Sequence, residues 1–531
     1  MTGVLCLGMA EAWLGKLIFV VWCGVVAEEK SQENSESLLK KGYFCRLFIN
    51  NMAKVKFYTG IDIPLEFHRA RVVQKINLLS VDERYEAIKK AGYNTYRIDS
   101  KSVFLDMLTD SGTNAMSDLQ LAAMMRADDA YAGSETFARL EDAVLQVLGK
   151  RYVVPAHQGR AAENVIMRAL LKQGDVVPMN YHFGSTINHI TLNGGRAVEL
   201  VDKSAFVSAS DDQFKGNVQI DRLIECIEEN GVEHIPFIRM EASTNLIGGQ
   251  PFSMSNYKEV RKVADKYGLR ILLDATLLAE NALLIIEREE QYANKTLAEI
   301  IRMMCDLADI VYFSARKFTC TRGAVICTDN YQDKLKMDQV VAVFEGYVTY
   351  GGMSMKEIEA MIQGLHEATD EEYVSQSPSF IKFFVNEAVK RGIPMVTPPG
   401  VLGAHIDAKK FCEHIPVKDY PASAVAAGLY LCSGVRAMEG GTASEVSATD
   451  PTIVADMELV RIAFPRKVFT LSQAMYALDR LQWLYDNREL LGPMEYEDIP
   501  GMVRCFSTPL KPLTDWPEKL IAKYKEDLGE R

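Results

Sequence analysis

Between residues 151 and 328 the chain alternates short apolar runs with amphipathic stretches, and no other feature constrains the fold as much. "RYVVPA", "DVVPMN", "HIPFIRMEA", "LRILLDAT", "ADIVYFSA" and "GAVICTD" read as strands. "GRAAENVIMRALLKQG", "IDRLIECIEENG" and "NYKEVRKVADKYG" carry apolar residues at helical spacing. Strands that are apolar on both faces must be covered on both faces, which predicts an α/β fold with a large, mostly parallel sheet between two helical layers. From about residue 380 a second αβ pattern begins, with "GAHIDAKKF", "VRIAFPRKVFT" and "ALDRLQWLYDNREL". It predicts a smaller lobe.

Ligands of such sheets bind beyond the carboxyl ends of the strands. The polar residues there are His157, Gln158, Gly159 and Arg160; Phe183; Asn245; Asp274; and Ser314, Arg316 and Lys317. Each has a plain structural reading: Gln158 caps a helix, Gly159 makes a turn, Asp274 caps the next helix, Lys317 is a solvated lysine. Together they describe something narrower. A helix start with Gly159 and Arg160 suits a phosphate. A carboxylate after one strand and a lysine after a later one, with Ser314 three residues before it, are what pyridoxal phosphate requires. The lysine bonds to its aldehyde, and the carboxylate keeps its ring nitrogen protonated.

The 531 residues are 48% hydrophobic and 24% charged, enough for a large core and more than one domain. A net charge of -12 and no dense Lys/Arg stripe argue against nucleic acid as a partner. The ten cysteines are scattered, with no C-x-x-C pair, so neither a disulfide framework nor a metal site is expected. Residues 1–51 stand apart. The apolar run Leu17 to Ala27 precedes acidic residues, with Val25 and Ala27 suitable for signal-peptidase cleavage, yet no basic residue comes before Lys16. The run is short for a membrane span. Two readings stay open: a secretory or targeting signal, or a dispensable extension upstream of Met52. A cytoplasmic enzyme follows from the second.

The strings "AGYNTYRIDS", "LTDSGTNAMSD", "DDAYAGSETF", "PAHQGRAAEN", "NLIGGQP", "DATLLAENA", "FSARKF", "YGGM" and "RIAFPRK" occur in the order found in the β-eliminating lyases, the tyrosine phenol-lyase and tryptophan indole-lyase (tryptophanase) family. The chain resembles that family from about Gly92 to its C-terminus. The resemblance implies a fold type I pyridoxal-phosphate enzyme, a homotetramer with active sites between subunits. It implies a large cofactor-binding domain over 111–379 and a small C-terminal domain over 380–531, with 52–110 as an N-terminal arm and part of the small domain. It implies β-elimination from an aromatic or related L-amino acid, giving pyruvate and ammonium. Transamination with the same residues, and a non-catalytic paralogue, are the alternatives.

Residue by residue, the resemblance implies Lys317 as the Schiff-base lysine, Asp274 at the pyridine nitrogen and Phe183 stacked on the ring. Gln158, Gly159, Arg160 and Ser314 surround the phosphate. Asn245 and Arg461 bind the substrate carboxylate, with Thr109 and Ser111 nearby, and Tyr131 protonates the leaving group. Departures are equally specific. Leu277 stands where the family has an arginine directed at the cofactor's ring oxygen. Asp129 and Arg322 stand at the monovalent-cation site, where a guanidinium in place of potassium puts a potassium requirement in question. Gly184, Gly440 and Cys505, the last beside Arg504 and Phe506, replace the side chains that recognise phenol or indole. A different or broader β-substituent is expected.

Overall fold

The computed structural model describes residues 57–445, 454–497 and 504–531. Residues 1–51, the subject of the two N-terminal readings, lie outside this range. Ile61–Arg531 form one compact unit. Among the described residues no helix is long and apolar enough to cross a membrane.

A seven-stranded sheet organises the unit. Its strands are β1 (Tyr152–Ala156), β2 (Val176–Met179), β3 (Arg196–Glu199), β4 (Ile238–Glu241), β5 (Ile271–Asp274), β6 (Ile310–Ser314) and β7 (Ala324–Thr328). The spatial order is β1-β7-β6-β5-β4-β2-β3. β7 runs antiparallel to both neighbours, and the remaining pairs are parallel. β2, β4, β5 and β7 are buried along their whole length, as strands covered on both faces must be. One face packs on helices Gly159–Leu170 and Tyr331–Phe344, through Val165, Ile166, Met337 and Val341. The other packs on helices including Glu135–Leu148, Met254–Tyr267 and Leu297–Asp306.

The predicted α/β fold is therefore the observed one. β3 is the strand that the apolar pattern did not reveal. It is an edge strand whose residues are exposed to half-buried, so no apolar run marks it. The winding reverses between β2 and β4, the position where open α/β sheets form a crevice. Phe183 follows β2 and Asn245 follows β4, one on each side of that reversal.

A second apolar core joins residues from two distant parts of the chain. Val81, Ile88, Leu105 and Met107 pack with Phe384, Ile406, Leu429, Leu481 and Trp516. Helix Pro421–Ser433 is buried on every side, consistent with a sequence that lacks a polar face. Around it lie β8 (Gly403–Asp407), β9 (Met438–Gly440) and β10 (Leu459–Ala463), an antiparallel sheet in the order β9-β10-β8. Leu105–Asp106 pairs in parallel with Val435–Arg436, tying the 81–107 segment to this core.

Candidate active site

The carboxyl ends of β4, β5 and β6 bring the predicted groups together. In-register residues of adjacent strands point to the same face, and Glu241 opposes Asp274, which opposes Tyr312. Asp274 ends β5 and is buried; its Oδ1 accepts from the Thr276 amide at 3.1 Å. Its Oδ2 accepts from Arg239 Nη2 and from the Tyr312 hydroxyl, each at 2.7 Å.

β6 ends at Ser314, and the one-turn helix Ala315–Phe318 carries Lys317. The Lys317 ammonium pairs with Asp110 Oδ1 at 3.4 Å, and both side chains are largely buried. Asp110 belongs to "TDSGTN", which wraps around the lysine. The Gly112 amide donates to the Arg316 carbonyl at 3.0 Å, and Asn114 Nδ2 donates to the same carbonyl at 3.1 Å. Gly112 has φ +79°, a conformation that favours glycine, and a Cβ there would displace the Arg316 guanidinium 2.3 Å away.

Helix Gly159–Leu170 starts beside Ser314. A Cβ on Gly159 would stand 2.9 Å from Ser314 Cβ, so the glycine permits the helix start to reach the end of β6. Gln158 is the N-cap but makes no side-chain capping bond, leaving the first amides of this helix without a side-chain acceptor from their cap. Arg160 is exposed and its guanidinium lies 5.1 Å from the Phe506 ring centre.

Arg461 on β10 is 6% exposed. Its Nη1 donates to Asn245 Oδ1 at 3.1 Å and its Nη2 to the Leu108 carbonyl at 2.9 Å, while Nε has no partner. Burial lowers its pKa, with Tyr96 and Asp110 opposing. Opposite it in register is His405, a buried imidazole pushed down to about 3 by burial and then by Arg461. Thr109 and Ser111 sit in the same turn, the Thr109 hydroxyl accepting from the Ser111 amide at 3.0 Å. Asp110 thus lies between Lys317 and Arg461, and the sequence reading named only its two neighbours.

Phe183 is the N-cap of helix Gly184–Leu192 and packs against Tyr181, Leu246 and Leu459. A Cβ on Gly184 would meet nothing within 4 Å. Tyr96 packs edge-to-face on Phe506 at 5.1 Å, and Cys505 is buried. The side chain of Arg504 lies outside the described residues. Tyr131 is 66% exposed and stacked on Tyr347 at 4.5 Å, and its carbonyl accepts from Thr349 at 3.0 Å. Leu277 is buried against Leu284, Val401 and Leu402 and offers no donor. Arg322 is exposed, and its charge adds to burial in lowering the pKa of Arg316. Asp129 has φ +46°. Among the described residues no group of three or more His, Cys, Asp or Glu is placed to hold a metal ion.

Arg239, Glu241, Tyr312 and Tyr96 were not singled out from the sequence. Burial pushes the Glu241 carboxyl up to about 7, with Arg239 opposing. A charged residue inside an apolar strand was the available signal, since an arginine in "HIPFIRMEA" has to find a partner.

The family model described as "Beta-eliminating lyase" matches residues 106–479. The tyrosine phenol-lyase of Symbiobacterium sp. (strain SC-1) is 38% identical over 452 residues, 85% of this chain and 99% of that enzyme. The tyrosine phenol-lyase of Fusobacterium nucleatum subsp. nucleatum is 37% identical over 449 residues, 84% and 98% of the two chains. Among solved structures, the serine palmitoyltransferase of Sphingomonas wittichii has a TM-score of 0.52 at 13% identity, covering 73% of this chain and 88% of its own. Serine palmitoyltransferase from S. paucimobilis with a bound PLP–myriocin aldimine has a TM-score of 0.51 at 13% identity, covering 73% and 89%. At that identity the likeness is one of fold.

Proposed function

The chain belongs to the β-eliminating lyase family, and from that premise we propose how its residues act. The reaction is a pyridoxal-phosphate-dependent elimination at Cβ of an aromatic or related L-amino acid, releasing pyruvate and ammonium. The observation that carries the assignment of residues is the meeting of four strand ends. Lys317, Asp274, the Gly159 helix start and Asn245 all end or follow strands at the same edge of the sheet, Asn245 is bonded to Arg461, and Asp110 pairs with Lys317, which supports one shared site.

The donor set fits the cofactor. A helix N-terminus without a side-chain cap, Gly159 with no Cβ, Ser314 and Arg160 suit its phosphate. Asp274 would face the ring nitrogen, Phe183 the ring, and Lys317 would carry it covalently. When bound, the cofactor supplies an electron sink for charge developing at the substrate's Cα.

The chain's own groups do the rest. Arg461, which has a buried Nε still without a partner, pairs with the substrate carboxylate alongside Asn245 and fixes the direction of the Cα–H bond. Thr109 and Ser111 line the same turn. The Lys317 amine takes the Cα proton. Tyr131 donates a proton to the departing group. Its exposed ring fits that role where a second copy of the chain brings this surface to the crevice, which is the sense of the proposed homotetramer. The 111–379 region forms the cofactor-binding domain, with 52–110 and 380–531 forming the small one; the separate apolar clusters support this division.

Gly184, Gly440 and Cys505 present no phenol- or indole-binding side chain, so the preferred β-substituent is one that leaves without ring activation. Arg322 replaces a bound potassium ion. A cytoplasmic location fits the seven free, buried cysteines of the described residues. The test is pyruvate release from a panel of L-amino acids. S-alkyl cysteines are expected to exceed tyrosine and tryptophan by at least about tenfold in kcat/KM, about 1.4 kcal/mol in transition-state binding. Absence of pyruvate from every substrate overturns the assignment.

A further inference from the structure

Behind Asp274, on the side of the sheet core, lies an ionic group that the elimination chemistry leaves unused. Arg239 of β4 is fully buried. Its Nη2 donates to Asp274 Oδ2 at 2.7 Å and lies 3.2 Å from the Tyr312 hydroxyl oxygen. Its Nη1 lies 3.3 Å from Glu241 Oε2 and 3.4 Å from the Tyr181 carbonyl. Tyr312 has one proton to donate, and Asp274 at 2.7 Å is nearer than Glu163 Oε1 at 3.2 Å. Glu163, on helix Gly159–Leu170, also accepts from Ser185 at 2.5 Å and from Thr186. His189, on the helix of Ser185 and Thr186, completes the set through its charge interaction with Glu163. Glu241 in turn accepts from the Asn245 amide at 3.1 Å, which links the group to the Arg461 pair.

Two buried carboxylates, Asp274 and Glu241, therefore share the Arg239 guanidinium, and Glu163 joins the group through the Tyr312 hydroxyl. Three residues after Asp274, the buried Leu277 stands where the family resemblance implies an arginine directed at the cofactor's ring oxygen.

We propose that Arg239 is a positioning residue that tunes the cofactor through Asp274. By dividing its charge between Asp274 and Glu241 it sets how strongly Asp274 holds the proton of the ring nitrogen, and so supplies from the core side the electronic control that Leu277 does not. This rests on the reading of Asp274 and Lys317 above. Coulomb's law gives the signs, because a buried charge a few ångströms away is weakly screened. Removing the Arg239 cation strengthens the negative field at the cofactor, so the lysine–cofactor linkage holds its proton to higher pH. Removing the Glu241 carboxylate leaves Arg239 to Asp274 alone and moves that proton the other way. The rise of the Glu241 carboxyl to about 7 accords with a group sensitive to its neighbours' charge.

The experiment uses the full chain loaded with pyridoxal phosphate and follows the visible absorption band of the bound cofactor against pH. Arg239→Gln is expected to raise the band's pH midpoint by about one unit, Glu241→Gln to lower it by about half a unit, and Tyr312→Phe to raise it slightly. A change in packing alone predicts no opposite signs. Should Arg239→Gln fail to fold, Glu241→Gln and Tyr312→Phe decide the matter, since neither leaves a buried charge unpaired. Midpoints within about 0.2 units of the parent, or shifts of one sign in Glu241→Gln and Tyr312→Phe, overturn the proposal. A parent chain with no band, or a band that survives Lys317→Ala, refutes the cofactor assignment instead.

Discussion

Gly184→Thr gives the sharpest test of the leaving-group pocket. Gly184 is the first residue of helix Gly184–Leu192, its φ lies outside the left-handed region, and a Cβ there would meet no heavy atom within 4 Å. The threonine side chain enters open space at no steric cost, and leaving glycine for threonine in a helix is favourable by a few tenths of a kcal/mol. Stability is expected to be unchanged or up by about 0.5 kcal/mol, read from the urea midpoint. If Gly184 faces the β-substituent, the new hydroxyl gives a departing phenol one neutral hydrogen bond. A net bond of that kind is worth about 1 kcal/mol, so kcat/KM for tyrosine should rise about fivefold. S-methyl cysteine, whose leaving sulfur needs no such partner, should be unaffected. Parallel pyruvate assays on the two substrates decide it: an unchanged tyrosine rate, or an equal rise for both, refutes the placement of Gly184 in the pocket.

Lys317→Ala is expected to lose both the visible band of the bound cofactor and all turnover, since Lys317 follows β6, the strand next to the one that ends in Asp274; a spectrum with the band intact contradicts it. Asp274→Ala should still bind cofactor but lose at least about a thousandfold in kcat. It should also cost about 3 kcal/mol in urea titrations, because Arg239 and Tyr312 lose their acceptor while Glu241 still faces Arg239. Glu439 is pushed up to about 8 by burial and then by neighbouring Glu458. An acid whose folded pKa lies above its unfolded value contributes a stability that is complete below about pH 4 and lost as pH rises through about 8. Urea midpoints should therefore fall between about pH 5 and pH 8, with no further loss from this group above that range, and Glu439→Gln should flatten that fall. Replacing potassium with tetramethylammonium should leave pyruvate release unchanged if Arg322 occupies the cation's place; a loss of more than about half the rate speaks against it.

The fold was legible because its signals are local. Apolar runs such as "ILLD" and "AVICT" have to be buried on both faces, and the amphipathic stretches between them have to cover them, whatever the rest of the chain does. The candidate site was partly legible for the same reason: residues just after a strand fall on one edge of the sheet, so Lys317, Asp274, Asn245 and Gly159 could be picked out by position. The edge strand Arg196–Glu199 was not, because its residues are too exposed to leave an apolar run.

Tertiary structure alone decided the contacts whose partners are remote. Arg239 reads as a mid-strand residue until the register sets Glu241 opposite Asp274 and Asp274 opposite Tyr312, bringing a guanidinium and a carboxylate 35 residues apart to 2.7 Å. Asp110 reads as part of a polar turn until that turn wraps around Lys317, 207 positions later. Tyr131 is picked out by the family strings, but that its ring lies exposed and stacked on Tyr347 is a contact only the fold sets. Periodicity and turn chemistry act over a few residues and so can be read from a single chain. Which buried charge meets which depends on strand order and register, and these are set by the packing of the whole molecule.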